Sequence, residues 1–221
     1  MHAVKERIAK NLADIQGRMA DAAARAGRSP DSIRLVAVTK TVGVEEARAL
    51  QGLGITDFGE NRVEVGQKKI EAMPDVCWHM IGNVQRRKAR DVVALFDTVD
   101  AIDRLSLATA LQQRCDEQDK NIDALVEVNM SGEESKHGFT PETLNQALSE
   151  ITSYNRLNIT GLMTMAPFGA ESQYIRSLFR KLKETADAHG LPELSMGMTD
   201  DFEIAIEEGA TQIRVGRALF A

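Results

Sequence analysis

Ile33-Arg34-Leu35-Val36-Ala37-Val38-Thr39-Lys40 is a continuous apolar run that ends in a lysine. A strand of a parallel sheet reads this way, because both of its faces are covered and the apolar–polar alternation is lost. Period two places Val36, Val38 and Lys40 on one face and Leu35, Ala37 and Thr39 on the other. The ammonium of Lys40 then stands at the strand's C-terminal end, the edge where α/β folds place their chemistry. On an apolar face a lysine loses hydration, its pKa falls, and a neutral nucleophilic amine suited to a Schiff base becomes accessible. The alternative is a lysine that has left the strand and points to water.

Outward from this strand one unit recurs. Upstream, Val4, Ile8, Leu12, Ile15, Met19 and Ala23 keep helical spacing over residues 4–26, with Gly27 as the stop. Downstream, strands are predicted at 56–61, 76–82, 98–102, 123–130, 159–165, 194–198 and 212–215. Helices are predicted between them at 44–53, 62–73, 86–96, 104–118, 141–153, 171–189 and 200–208. About eight strands at intervals of roughly 25–30 residues match the repeat of a (β/α)8 TIM barrel of the α/β class. No linker or composition break divides residues 1–221, so a single domain is expected. An open sheet that binds a dinucleotide would carry GxGxxG after its first strand, where Thr41-Val42-Gly43-Val44 stands instead. No helix is expected after the eighth strand, so the extra N-terminal helix is expected to cover the wall that a final helix would cover.

At 221 residues, 43% of them hydrophobic and 27% charged, the chain can bury a full-size core. Its net charge of -6 argues against a nucleic-acid partner. No signal-peptide pattern or membrane-length apolar run occurs, so a cytoplasmic protein without a membrane association is expected. Cys77 and Cys115 form no recognised pairing or metal motif, and a reduced chain without a metal is expected.

In a barrel, the candidates for chemistry are polar residues near the C-terminal ends of strands. Asn61, His79, Glu127, Asn129 and Arg214 qualify. A buried arginine needs a partner, and Glu127 is the one at hand, as a core salt bridge with no ligand. Ser195-Met196-Gly197-Met198-Thr199-Asp200-Asp201 runs a strand into a helix start with Thr199 as its N-cap. Arg214-Val215-Gly216-Arg217 follows the next strand with a glycine that lets backbone N–H groups approach a ligand. Loops after strands seven and eight hold phosphate in many barrels. Together with Lys40 they point to a phosphorylated aldehyde held by imine and phosphate, and pyridoxal 5′-phosphate (PLP) meets both demands. A Schiff-base aldolase acting on a sugar phosphate is a further alternative. The basic run Arg86-Arg87-Lys88-Ala89-Arg90 reads as a solvated helix face, His79 as a core histidine, and the methionines at 163–165 and 196–198 as core filler.

The same residues resemble a known family over nearly the whole chain, the pyridoxal phosphate homeostasis proteins. The likeness is carried by Val36-Ala37-Val38-Thr39-Lys40-Thr41, Phe58-Gly59-Glu60-Asn61 and the long stretch from Trp78 to Lys88. It continues in Asn129 with Ser131, Lys136, Gly138 and Phe139, in Gly161-Leu162-Met163, in Ser195 to Asp201, and in Arg214-Val215-Gly216. The resemblance implies an alanine racemase-like barrel (PLP fold type III) that holds PLP as an internal aldimine on Lys40. It implies phosphate contacts from Ser195 or Thr199 and from the backbone of Gly216 and Arg217. Arg214 would face the pyridine nitrogen, with Asn61, His79 and Met163 as ring-side neighbours. A charged arginine there keeps the ring nitrogen unprotonated and the ring a poor electron sink. That suits a protein that holds the cofactor and hands it on, as a monomer that meets PLP-dependent apo-enzymes transiently. Amino-acid racemisation is the enzymatic alternative, but racemases of this fold add a second domain, and the only tyrosines, Tyr154 and Tyr174, fall on predicted helices. Three positions depart from the family's usual pattern: Asn83 stands where proline is common, Arg217 where threonine or serine is common, and Ala221 where glycine is common.

Overall fold

A computed structural model describes residues 2–133 and 136–221. The strands are β1 (Arg34–Val38), β2 (Asp57–Glu60), β3 (Cys77–Met80), β4 (Thr98–Ile102), β5 (Ile122–Glu127), β6 (Leu157–Met163), β7 (Glu193–Ser195) and β8 (Gln212–Val215). The helices are α1 (His2–Arg25), α2 (Val44–Gln51), α3 (Val63–Ala72), α4 (Ala89–Leu95), α5 (Leu105–Gln118), α6 (Pro141–Ile151), α7 (Ser172–Ala188), α8 (Phe202–Glu207) and α9 (Arg217–Phe220). All strand pairs are parallel and follow chain order, and β1 closes the barrel by pairing with β8. This is the (β/α)8 architecture that the strand spacing predicts.

Local chemistry sets the boundaries. Gly27 ends α1 at φ 64, a left-handed position that glycine takes without strain, and the Arg28 N–H reaches back to the Ala23 carbonyl at 2.9 Å. Thr140 caps α6, and Pro141 starts it. The helix predicted from residue 86 opens instead as a 3₁₀ turn, Arg86–Lys88, before α4.

Two cores result. Outside the barrel, Ala37, Phe58 and Trp78 share one register row, with the Phe58 and Trp78 rings 5.4 Å apart, and pack under the helices. Inside the barrel the apolar filling is small, a separate cluster of Ala101, Leu125 and Met163. Buried polar side chains occupy much of the remaining interior.

The wall between α8 and α2 is covered by α1, which also packs on α9. Its buried stripe of Ile8, Leu12, Ile15 and Met19 does most of this work. Burying each such side chain fully contributes roughly 1.5–3 kcal/mol. Asn11 ties the helix to the chain end through the carbonyls of Leu219 (3.2 Å) and Ala221 (3.0 Å), and the Arg18 guanidinium lies 4.6 Å from the Phe202 ring centre. A helix does follow β8, contrary to expectation, but it spans 4 residues and leaves the covering role to α1.

Candidate functional site

A cavity of about 510 Å³ opens at the C-terminal ends of the strands. Lys40, Asn61, Thr199, Arg214, Gly216 and Arg217 all line it, together with Val38, Ile81, Glu127, Met198 and Asp200. Six of the nine predicted site residues therefore meet in one place.

Lys40 is positioned by its neighbour. β1 stops at Val38, and the Thr39 N–H makes the last sheet contact, to the Gly59 carbonyl at 3.1 Å. The chain then turns, with the Val42 N–H bonded to the Thr39 carbonyl. Lys40 lies in that turn and is exposed at the cavity mouth, so the expected dry, strand-borne lysine is corrected to a loop-borne one. Beneath the turn is a buried ion pair. Lys69 of α3 donates to Glu60 Oε1 at 2.5 Å and to the Thr39 carbonyl at 2.6 Å, and the Thr39 hydroxyl donates to the same Glu60 oxygen. The other Glu60 oxygen is buried without a partner. Lys69 was not singled out by the sequence, in which it is one of two adjacent lysines on an amphipathic helix.

Asn61 follows β2 and is held against the loop after β3, where a Cβ on Gly82 would collide with the Asn61 backbone.

Arg214 is buried in β8, yet it reaches the cavity floor. Its Nη1 donates to Ser195 Oγ at 2.5 Å and its Nη2 to the Thr164 carbonyl at 3.0 Å. The expected salt bridge to Glu127 does not form. Burial lowers the Arg214 pKa, and the charges of Asp100, Glu127 and Asp201 oppose that from a distance. Burial, reinforced by Asp103, raises the Glu127 pKa, while Arg214 and His137 work against it.

The loop after β7 turns at Gly197 (φ 95), where a Cβ would press on Ala205 and Phe202. Asp201, not Thr199, occupies the N-cap position of α8, and its Oδ1 accepts the Met198 N–H at 2.6 Å. That contact leaves Thr199 free to line the cavity. Gly216 packs closely on the strand beside it, where a Cβ would sit a tight 3.0 Å from the Val38 carbonyl oxygen. Arg217 is exposed and paired with Asp200 at 2.6 Å.

The other three predicted residues lie elsewhere. Ser195 is inside the barrel under Arg214, where its hydroxyl oxygen also accepts from Gln212 at 3.0 Å. Met163 belongs to the apolar cluster within the barrel. His79 stands toward the opposite, N-terminal end, bonded through Nδ1 to Asp100 (3.0 Å) and through Nε2 to Asp57 (3.2 Å). Burial alone would depress the His79 pKa, but the Asp100 charge and the bonds to Asp100 and Asp57 hold it well above the usual histidine value. His79 and Met163 thus sit as the core histidine and core filler that the residues alone suggest, whereas the ring-side and phosphate roles of these three came with the resemblance. Conversely, His137 and Phe168 line the cavity from loops, where no pattern marks them.

The chain matches the family model "Alanine racemase, N-terminal domain" over residues 7–221. It is 37% identical over 219 residues to the pyridoxal phosphate homeostasis protein of Aquifex aeolicus, with 96% of each chain covered. It is 40% identical over 200 residues to that of Synechocystis, with 86% of this chain and 92% of the relative covered. Among solved structures, PipY of Synechococcus elongatus with PLP bound superposes with a TM-score of 0.85 at 31% identity, covering 97% of this chain and 100% of that one. On sequence, barrel topology and extent of match together, this chain belongs to the pyridoxal phosphate homeostasis protein family.

Proposed function

We propose that this protein binds PLP in the cavity at the C-terminal end of the barrel and serves intracellular PLP homeostasis by holding the cofactor and releasing it to apo-enzymes. The observation that carries the reading is the convergence of one reachable amine, Lys40, with the cationic Arg214 and the loops of Thr199 and Gly216–Arg217 around a single cavity. The donor set fits the cofactor. Lys40 is the amine for the aldehyde, Thr199 and the backbone at Gly216 and Arg217 face the anionic group, and Val38, Ile81 and Met198 offer apolar contact to a ring. When bound, PLP supplies a reactive aldehyde and an electron-withdrawing ring.

Arg214 has no proton to give at neutral pH, and its cation disfavours a proton on a facing ring nitrogen. The exposure of Lys40 keeps the linkage within reach of water and of an incoming amine. Neither tyrosine lines the cavity: the Tyr154 hydroxyl lies 3.0 Å from Thr109, and Tyr174 is exposed on α7. The acid–base pair that racemisation needs on opposite sides of a substrate therefore lacks its tyrosine among the described residues. A monomer working with transient partners is consistent with this arrangement.

The test is transfer. The chain, loaded with PLP and freed of excess cofactor, is mixed with an apo-aminotransferase. Recovery of aminotransferase activity, absent when the loaded chain has first been reduced with borohydride, supports the reading. Failure of the chain to acquire a near-visible absorbance band with PLP at all contradicts it.

A further inference from the structure

The N-terminal end of the barrel holds a second constellation that the PLP reading does not use. Cys77 and His79 are two residues apart on β3, so both side chains face the barrel interior. Asp57 is the register partner of Cys77 on β2. Parallel pairing thus brings together three donors that lie 22 residues apart in the chain at their widest.

We propose that Asp57, Cys77 and His79 form a zinc-binding site at the floor of the barrel. One ligand atom from each lies within 4.8 Å of the others. The Cys77 Sγ–His79 Nε2 separation is 3.5 Å, and the His79 Nε2–Asp57 Oδ1 separation is 3.2 Å. A tetrahedral Zn²⁺ with its usual bond lengths sets its sulfur and nitrogen ligands about 3.5 Å apart and its nitrogen and oxygen ligands about 3.3 Å apart. The fold therefore pre-forms two edges of the tetrahedron. A thiolate, an imidazole and a carboxylate are a donor set that suits zinc among the divalent cations.

The surroundings support the ligands as zinc sites require. The other ring nitrogen of His79 faces Asp100, whose carboxylate also accepts from Thr98 Oγ1 at 2.7 Å and Gln212 Nε2 at 2.6 Å. This carboxylate–histidine arrangement fixes the ring and leaves Nε2 toward the metal. A cavity of about 150 Å³, lined also by Thr98, Asp123, Thr160 and Glu193, borders the three donors and provides a fourth coordination position for water. Asp57 and Cys77 are only partly buried, which gives the ion a path in. Among the described residues Arg34 is the competing cation, with Nε 3.4 Å from Asp57 Oδ1; its side chain is 43% exposed and also reaches Glu193 at 3.7 Å. On binding, the thiol proton and the Nε2 proton pass to solvent.

The experiment needs no PLP. The chelator-treated full chain is titrated with zinc sulfate in a calorimeter and, separately, with Co²⁺ in a spectrophotometer. The expected result is one equivalent of Zn²⁺, and a thiolate-to-cobalt charge-transfer band with intense visible bands of tetrahedral Co²⁺. Asp100→Asn weakens zinc binding by roughly 10- to 100-fold while keeping the charge-transfer band. Cys77→Ser weakens it further and removes the band. Absence of stoichiometric zinc binding, or equal binding by Cys77→Ser, overturns the proposal. So does wild-type Co²⁺ binding without the thiolate band, a readout that does not depend on any variant folding.

Discussion

The two ends of this barrel are made by the same eight strands and carry opposite kinds of site. At the C-terminal end most of the lining groups sit on loops around a cavity of about 510 Å³, with Arg214 reaching in from β8, and Lys40 and Arg217 are exposed. At the N-terminal end they sit on the strands around about 150 Å³, and His79 is already bonded between Asp57 and Asp100. Strand-borne side chains find partners at fixed register, so a ligand at the floor must replace existing contacts, whereas loop-borne ones at the other end stand open to a ligand. Two buried carboxylates show the contrast most directly. Burial raises the pKa of Glu127 at the open end, where no cation among the described residues touches it. Asp100 at the floor is subject to the same burial, but His79, with the hydrogen bonds from Thr98 and Gln212, more than offsets it and its pKa is lowered. Hydrogen bonds from Arg214 through Ser195, Gln212 and Asp100 to His79 join the two ends.

If the loops are available only because a buried pair fixes them from below, Lys69→Met has the largest effect on stability. It leaves the Glu60 carboxylate buried without its cation and with only the Thr39 hydroxyl, at a cost of about 3–5 kcal/mol. The urea midpoint should fall accordingly, and adding Glu60→Leu should restore much of it; a midpoint equal to wild type would remove the pair from the account.

The carboxylate contrast is tested next, with chelator present. Asp100→Asn loses charge assistance to a buried imidazolium and should destabilise by roughly 1–3 kcal/mol at neutral pH. Because the folded pKa of Asp100 is lowered, its contribution is present above the unfolded carboxylate value and fades as pH falls through the folded one. The deficit of the variant should shrink in that acid range. Glu127→Gln should act in the opposite sense. A raised folded pKa makes ionised Glu127 a cost that appears as pH climbs above the unfolded value, so the variant gains stability at neutral pH and loses the gain in acid. Thermal melts across pH that show the same sign for both variants would break the comparison.

The smallest effect belongs to the rim. Asp200→Asn frees the exposed Arg217, with a stability change of less than about 1 kcal/mol. A freed guanidinium should tighten binding of PLP or inorganic phosphate, and a weakened affinity would show that Asp200 itself serves the ligand.

How far the sequence reveals this follows from what periodicity encodes. β4 and β8 were read with their observed limits, Thr98–Ile102 and Gln212–Val215, because short segments of alternating polar and apolar residues between polar turns leave little freedom. Lys40, Asn61, Thr199, Arg214, Gly216 and Arg217 were legible because they stand where strands end, and in a barrel all such ends share one face. Ser195, Met163 and His79 line no part of that cavity, and their site roles had come from the resemblance, which carries no information on depth in the barrel. The Lys69–Glu60 pair and the Asp57–Cys77 neighbourhood were invisible: the first needs a helix folded back on its strand, and the second needs the register between two strands.

One particular amine among the lysines, that of Lys40, is proposed to carry the cofactor. The most direct measurement is to add PLP to the full chain, reduce it with borohydride, digest it, and locate the modified peptide by mass spectrometry. The account predicts a single stoichiometric modification on Lys40, lost in Lys40→Ala. A modification that falls elsewhere, or that persists undiminished in Lys40→Ala, contradicts it.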